Sequence, residues 1–278
     1  MSDFDSAWWK WRWAVAHAET IAVDIDVWAQ NRTGNPVVTT AHEYQPKSHR
    51  FAIRVATVEQ VPTAWGLRIG DIVGNLRHCL DHVVWAMVKR GRIPNLSDDQ
   101  ARRVYFPFAK SPGHFRYLVG SRLPGCRRAD IAMVRRYQPY QRRIFRETLG
   151  ALDVVSNDDK HRTVQPVFAL PESAQFKIAN PRDCVPGRIA PPRGHTSALN
   201  VGTELAYVYV RKTGPNPEID VEGEIGANIA IHDWVRLDRW SSVTFQVVSD
   251  LLFWLAEPPF PRKGIPDWAI ARHRAERG

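Results

Sequence analysis

The sequence predicts an α+β protein, a helical bundle with an antiparallel β-sheet contributed mainly by the second half. Two observations carry that expectation. Apolar residues recur at helical spacing in the first half and again near the end, and runs of strand character concentrate between residues 163 and 236. No internal repeat and no clear linker interrupts the chain, so it is read as a single domain, 1–278. Its parts are a mainly helical 1–162, a mainly β 163–236, a closing helix 237–257 and a tail 258–278.

The first helix runs over Ser6 to Asn31, capped by Asp5 or Ser6, with Trp9, Trp13, Ala16, Thr20, Val23 and Val27 at helical spacing. This stripe is expected to pack into the core. Its WWKWRW run also has the composition of an interfacial membrane helix, but Asp24 and Asp26 in the following turns favour core packing. Arg50 to Val58 alternates Phe51, Ile53 and Val55 against Ala52, Arg54 and Ala56, the period of a strand. Gly66 and Gly70 punctuate the chain before a helix from about Ile69 to Arg90, stopped by Gly91 and Pro94.

A loop is expected around Tyr105 to Gly125, then a short helix through Ile131 and Val134 to Gln138. Pro139 can open a further helix that buries Tyr140, Ile144, Thr148, Ala151, Leu152 and Val155. Strands follow at Thr163–Leu170, Gln175–Ile178, Thr203–Thr213 and Glu218–His232. Gly214-Pro215-Asn216-Pro217 reads as the turn of a hairpin, and the Pro- and Arg-rich Asn180–Asn200 as a long surface loop. Trp240, Val243, Val247, Leu251 and Trp254 share one face of the closing helix, which ends at Glu257-Pro258-Pro259.

With 278 residues and 44% hydrophobic content, the core needs no disulfide or metal. Cys79, Cys126 and Cys184 are odd in number and form no CxxC pair, which argues against a disulfide framework and for a reducing cytoplasm. No apolar run approaches a membrane span, and Asp3 and Asp5 do not suit a secretory signal, so no membrane association is expected. The net charge of +9 favours anionic partners such as RNA or another polyanion. It concentrates between Lys110 and Arg146, in Arg116, Arg122, Arg127, Arg128, Arg135, Arg136, Arg142, Arg143 and Arg146. Arginine suits phosphate through its planar fork of donors. The candidate nucleic-acid-binding residues are Arg127, Arg128, Arg135, Arg136, Arg142, Arg143, Arg146 and Arg162.

Asp71 to His82, DIVGNLRHCLDH, holds two histidines, an arginine and two acids in one helix. Asp71, Asn75, His78 and His82 form one stripe, and Ile72, Leu76, Cys79, Leu80, Val83 and Met87 the opposite one. Trp85 beside the polar stripe suggests that a second element covers it, making a cleft wall. The four-residue spacing of His78 and His82 admits a shared metal, with Asp71 or His161 as a further ligand, but the glutamate of HExxH is absent and no metal or cofactor is expected. Asn157-Asp158-Asp159-Lys160-His161-Arg162 is a second cluster of proton-transfer and anion-binding groups, placed at a helix exit.

Arg77, polar His78, three residues and His82 resemble the signature of the HEPN superfamily, helical-bundle proteins many of which are metal-independent ribonucleases. The likeness covers this one helix and a generally helical scaffold. It implies a homodimer in which the motifs of two subunits meet and RNA is cut by attack of its 2′-hydroxyl. Arg77 would then stabilise the charged phosphate, His82 act as general base or acid, and His78 hold the polar position. Arg77 and His82 lie about 140° apart around the helix, so they converge only through a long arginine reach or a symmetric partner. The chain is also similar to uncharacterised bacterial proteins that share an LR-x-x-LDH helix and an N-x-DKHR segment, here Leu76 to His82 and Asn157 to Arg162.

P-loop, hydrolase-elbow and dinucleotide motifs are missing. The functional expectation is a metal-independent endoribonuclease, or a degenerate relative that binds RNA or nucleotide, with Arg77, His82, His78, Lys160 and His161 as catalytic candidates. The alternative is a non-enzymatic basic interaction protein that holds nucleic acid or an acidic partner.

Overall fold

A computed structural model of the protein describes residues 4–31, 37–91, 95–159, 164, 166–169, 175–178, 182–190, 198–224, 228–231 and 235–256. The fold is mixed α+β, with the strands of the second half in antiparallel sheets. The chain forms two compact units. One comprises Met1–Asp24, Ala64–Val164 and Arg239–Gly278, the other Ile25–Thr63 and Gln165–Asp238.

Helix α1 (Asp5–Gln30), which belongs to the first unit as far as Asp24, buries Ala7, Trp8, Trp11, Ala14 and Ile21. Trp8 meets Phe253 edge-on at 5.0 Å, and the Trp11 indole N–H donates to the Phe245 carbonyl at 3.1 Å. Burying large apolar side chains such as these contributes roughly 1.5–3 kcal/mol each; the Trp11 indole N–H has its acceptor, while the Trp8 Nε1 is buried without one. The stripe expected to be in the core is therefore outside: Trp9, Trp13, Ala16, Thr20, Val23 and Val27 are all exposed. The helix carries apolar residues on two faces, and periodicity cannot rank two stripes of equal period.

Helix α2 (Thr63–Lys89) starts six residues before the expected Ile69, because Gly66 and Gly70 are buried inside it. Short α3 (Asp98–Ala101) is closed by a capping box between Ser97 and Gln100. Where a loop was expected, Pro112–Arg122 forms α4, with Ser111 accepting from the His114 N–H and Pro112 in the first turn. Helix α5 (Arg128–Arg136) matches the short helix read from Ile131 and Val134.

The next helix does not start at Pro139, since residues 139–141 form a turn. It begins as α6 (Arg143–Phe145), passes through a π-turn (Arg146–Gly150) and continues as α7 (Ala151–Asp159). The π-turn adds a residue to the ladder and rotates the apolar face. Phe145 and Leu149 are consequently buried, and the expected Ile144 is exposed. Helix α8 (Leu237–Leu255) closes the unit, burying Trp240, Val247 and Leu251 as expected, while Trp254 remains exposed and Val243 half-buried.

Arg90, just beyond α2, ties three of these helices together. Its guanidinium forks onto both Asp130 carboxylate oxygens at 2.7 and 3.2 Å, donates to the Leu255 carbonyl at 2.6 Å and lies over the Phe4 ring at 4.8 Å. A buried charge is tolerable only with such complete pairing.

In the second unit, β1 (Val38–Gln45), which periodicity did not predict, pairs with β2 (Arg50–Val58), which it did. With β5 (Arg182–Ala190) and β6 (Glu204–Glu218) they form a four-stranded antiparallel sheet in the order β1-β2-β6-β5. Strand β5 occupies part of the expected 180–200 loop. The expected hairpin turn at Gly214–Pro217 lies inside β6 instead. Pairing jumps from Cys184↔Thr213 to Arg182↔Glu218, so the intervening residues have no ladder partners there. Two of them are prolines, which cannot donate to a ladder, and an irregularity is where a strand tolerates them.

Strands β3 (Pro166–Ala169), β8 (Asn228–Ile231) and β9 (Val235–Arg236) make a second sheet, and β4 (Gln175–Ile178) pairs with β7 (Val221–Glu224). Phe51, Ile53, Ala206, Val208, Val210 and Ile219 form the core of this unit, with Phe176, Ile178 and Val221 packed against it. Among the described residues no helix is long and apolar enough to cross a membrane.

Candidate functional site

Helices α2 and α7 run antiparallel in the first unit and share two polar contacts. Arg77 Nη1 donates to Asp153 Oδ1 at 2.8 Å. One and a half turns along α7, Asp159 packs on Gly70, where an added Cβ would lie 2.6 Å from Asp159 Oδ1. Burial raises the Asp159 carboxyl above the usual range, and nearby Asp71 adds to the effect, against a backbone hydrogen bond involving Val164. The two clusters singled out in the sequence therefore touch through Asp159 and the residues around Gly70 and Asp71. Lys160, His161 and Arg162 of the second cluster lie outside the described residues.

The segment Tyr105 to Lys110 is held against these helices by a side-chain acceptor near each end. Asp81 Oδ1 accepts from the Phe106 N–H at 2.8 Å, and Gln138 Oε1 accepts from the Ala109 N–H at 2.8 Å. Gln138 is fully buried and also donates to the Val134 carbonyl at 3.0 Å, so both ends of its amide are satisfied. The latched segment presents Tyr105 and Phe108 to two arginines. Arg77 lies over Phe108 at 4.3 Å and Arg122 over Tyr105 at 3.4 Å.

Together they line a pocket of about 190 Å³, completed by Phe106, Pro107, His114, Leu118 and Asp153. Its two guanidiniums are not equivalent. Arg77 is nearly covered and is neutralised by Asp153, with Asp81 3.6 Å from its Nε. Arg122 has no carboxylate within ion-pair distance among the described residues. Its Nη1 donates to the Arg103 carbonyl at 3.1 Å, and its Nε is buried with no hydrogen-bond partner. Burial, then repulsion from Arg103 and Arg77, holds its pKa below the ordinary arginine value. At neutral pH it stays charged. The wall thus combines an uncompensated cation, unused N–H donors and aromatic faces, which is the chemistry of an anion site.

The HEPN-like pair separates within one chain. Arg77 lines the pocket, whereas neither His78 nor His82 does. His78 is exposed. His82 is half-buried, and burial together with Lys10 and His78 keeps its pKa below that of a free imidazole, although Asp81 acts in the opposite sense. Lys10 reaches across from α1 to donate to Asn75 Oδ1 at 3.4 Å, so α1 does flank the Asn75–His82 stripe. Trp85 at the end of that stripe is 37% exposed. Among the described residues no three His, Cys, Asp or Glu side chains gather as a metal-binding group.

Of the arginines read as a basic surface, Arg127, Arg128, Arg135, Arg136, Arg142, Arg143 and Arg146 are all exposed, and Arg143 pairs with Glu147. Arg162 is outside the described residues. Burial raises the pKa of both Cys79 and Cys126, that of Cys126 up to about 12, so neither is an activated nucleophile.

No protein family, curated protein or solved structure matches this chain.

Sequence reasoning did not single out Tyr105, Phe108, His114 or Asp153, and it saw Arg122 only as one member of a charge run. A local signal did exist for part of the pocket: Ser111-Pro112 is a helix start, and it leaves Tyr105-Phe106-Pro107-Phe108 as a short aromatic segment between helices.

Proposed function

We propose that this protein binds RNA or a nucleotide, as a degenerate relative of the HEPN-like ribonucleases it resembles, with the Arg77–Arg122 pocket as its phosphate site. The observation that carries the reading is Arg122: a cation in the pocket wall, stacked on Tyr105, with no carboxylate partner among the described residues and a buried Nε left without a hydrogen bond. A phosphate in the pocket would neutralise that charge. The pocket is about 190 Å³, smaller than the roughly 300 Å³ at which whole drug-sized ligands are enclosed. It therefore suits one phosphate with part of its attached sugar or base, as at the end or a single exposed link of a strand. The exposed arginines between Arg127 and Arg146 offer further phosphate contacts that would track a longer polyanion.

The cleaving version of this proposal has one supporting observation. The depressed pKa of His82 keeps its imidazole neutral near pH 7, as a general base requires. It also requires a second copy, because Arg77 and His82 do not line one pocket in a single chain.

The test is a titration of labelled, 5′-phosphorylated RNA against wild type and Arg122→Ala, read by fluorescence anisotropy. Loss of at least tenfold in affinity with Arg122→Ala supports the pocket, and no binding by wild type overturns both versions. Incubation in excess chelator separates them. Cleavage that disappears in His82→Ala supports the nuclease, and binding without cleavage supports the degenerate relative.

A further inference from the structure

The exposed stripe of α1 has a spacing that single-chain packing does not use. Trp9, Trp13, Ala16, Thr20 and Val23 follow one another at steps of four, three, four and three residues, the a/d repeat of a coiled-coil seam, and Val27 continues it. All are exposed, Trp9 at 57%, Trp13 at 58% and Val23 at 60%. Among the described residues the tryptophans stack only on their own helix, Trp9 beneath Arg12 at 5.0 Å and Trp13 beside His17 at 5.7 Å. The helix meanwhile buries a separate face through Trp8 and Trp11. Two large indoles in water on a helix already anchored elsewhere mark an interaction surface.

We propose that this face docks a second copy of the same chain, the two α1 helices pairing antiparallel across a two-fold axis. Shape and charge together decide the direction. The flanks carry Lys10 and Arg12 near the start of the seam and Glu19 and Asp24 further along. Parallel pairing stacks Trp9 and Trp13 each on its own copy and Ala16 on Ala16, and sets Glu19 against the partner's Asp24, although it also brings Lys10 to the partner's Asp5. Antiparallel pairing sets Arg12 against the partner's Glu19, because a two-fold axis perpendicular to the helices runs each flank along its own copy. Arg12 is placed for this role by its stacking on Trp9 at 5.0 Å, which holds it beside the seam. Lys10 and Asp24 already face Asn75 and Arg68 of their own chain.

Shape selects the register. With Arg12 opposite the partner's Glu19, Trp13 covers the partner's Ala16 and Trp9 the partner's Thr20, large over small in every layer. A shift of one heptad would stack Ala16 on Thr20 and bring the two Glu19 side chains together. A tryptophan side chain buries roughly 150–250 Å², so four that are more than half exposed supply on the order of 500 Å² of the about 1,000 Å² a specific interface needs. Ala16, Thr20, Val23 and the charged flanks supply the remainder.

Sedimentation equilibrium of the full chain over a concentration series tests the pairing. The wild type is expected to dimerise, and Trp13→Glu to be monomeric with an unchanged far-ultraviolet circular dichroism spectrum, since Trp13 is more than half exposed and its ring meets only His17 among the described residues. If Trp13→Glu does not fold, Glu19→Lys takes its place: it should raise the dimer dissociation constant at least tenfold, and adding Arg12→Glu should restore it. A wild type that remains monomeric overturns the proposal, whether residues 257–278 or a lipid surface covers the face. Flotation of monomeric wild type with anionic vesicles identifies the lipid case. A dimer that survives Trp13→Glu, or a Glu19→Lys loss that Arg12→Glu does not rescue, also overturns it.

Discussion

Arg77 of α2 and Asp153 of α7 meet at 2.8 Å although 76 residues separate them in the chain, and the guanidinium that makes this bond also lies 4.3 Å over Phe108. One side chain thus aligns two helices and forms part of a pocket wall. Removing its partner leaves a nearly covered cation with the more distant Asp81 as its carboxylate. Asp153→Ala should therefore cost about 2–4 kcal/mol, below the upper range for buried pairs because Asp153 is partly exposed. Urea denaturation measures it, and a loss under 0.5 kcal/mol would show that the pair does not hold the helices.

The Arg90–Asp130 fork should be as sensitive. Asp130→Ala removes the carboxylate from a guanidinium that also holds the Leu255 carbonyl and lies over the Phe4 ring. A loss of about 3–5 kcal/mol is expected. Arg90→Lys should recover little of it, because an ammonium cannot reproduce two parallel bonds.

The contact between Gly70 and Asp159 predicts non-additivity. Gly70→Ala should destabilise by about 1–3 kcal/mol, since its Cβ would meet the carboxylate. Asp159→Ala should relieve most of that penalty. A double-mutant cycle with no coupling would refute the contact.

His82 predicts a pH dependence of definite sign. Its folded pKa lies below the ordinary imidazole value of about 6.5, so the unfolded chain takes up the proton first. Its contribution to stability is complete above about pH 6.5 and is lost as pH falls through that value to the folded pKa. Nuclear magnetic resonance titration should place the His82 midpoint below that of a free imidazole, and Lys10→Gln should raise it by removing a repulsive charge. A midpoint unmoved by Lys10→Gln would show that Lys10 takes no part in the shift. Asp159 acts in the opposite sense at lower pH, since its raised pKa lets the folded state bind a proton that relieves its burial.

The latch on the aromatic segment is tested by Gln138→Leu. It leaves the Ala109 N–H without its acceptor at a fully buried position and should cost about 1–3 kcal/mol. The same variant should weaken any ligand held between Tyr105 and Phe108. Stability lost without a change in ligand affinity would separate the latch from the pocket.

Local patterns in the sequence carried much of the architecture. The limits of β2 and β4, the long α2 with its apolar face of Ile72, Leu76, Cys79, Leu80, Val83 and Met87, and the closing helix all follow from period and punctuation. The errors have physical causes. Gly66 and Gly70 read as breaks because a glycine's local preference says nothing of the partner that needs its missing Cβ. The turn-like Gly214–Pro217 sits within β6, since irregular pairing with β5 absorbs it. Thr148, Ala151, Leu152 and Val155 are buried as expected, and only the first turn of the α6–α7 segment differs, with Phe145 buried in place of Ile144.

By itself the sequence determined the helical character of α1, α2, α5 and α8 and the extended character of β2 and β4, that arginine is concentrated between residues 110 and 146, and that Arg77 shares a helix with His78 and His82. Those properties depend on neighbours within a few residues, where backbone geometry and side-chain period act directly. Only the tertiary structure decided that Arg77 meets Asp153 rather than His82, that Asp159 reaches the Gly70–Asp71 turn of α2, and that Trp8 and Trp11, not Trp9 and Trp13, are buried. Each of those outcomes compares contacts between segments distant in the chain, and the winning contact is set by shape and pairing across helices, which no single segment encodes.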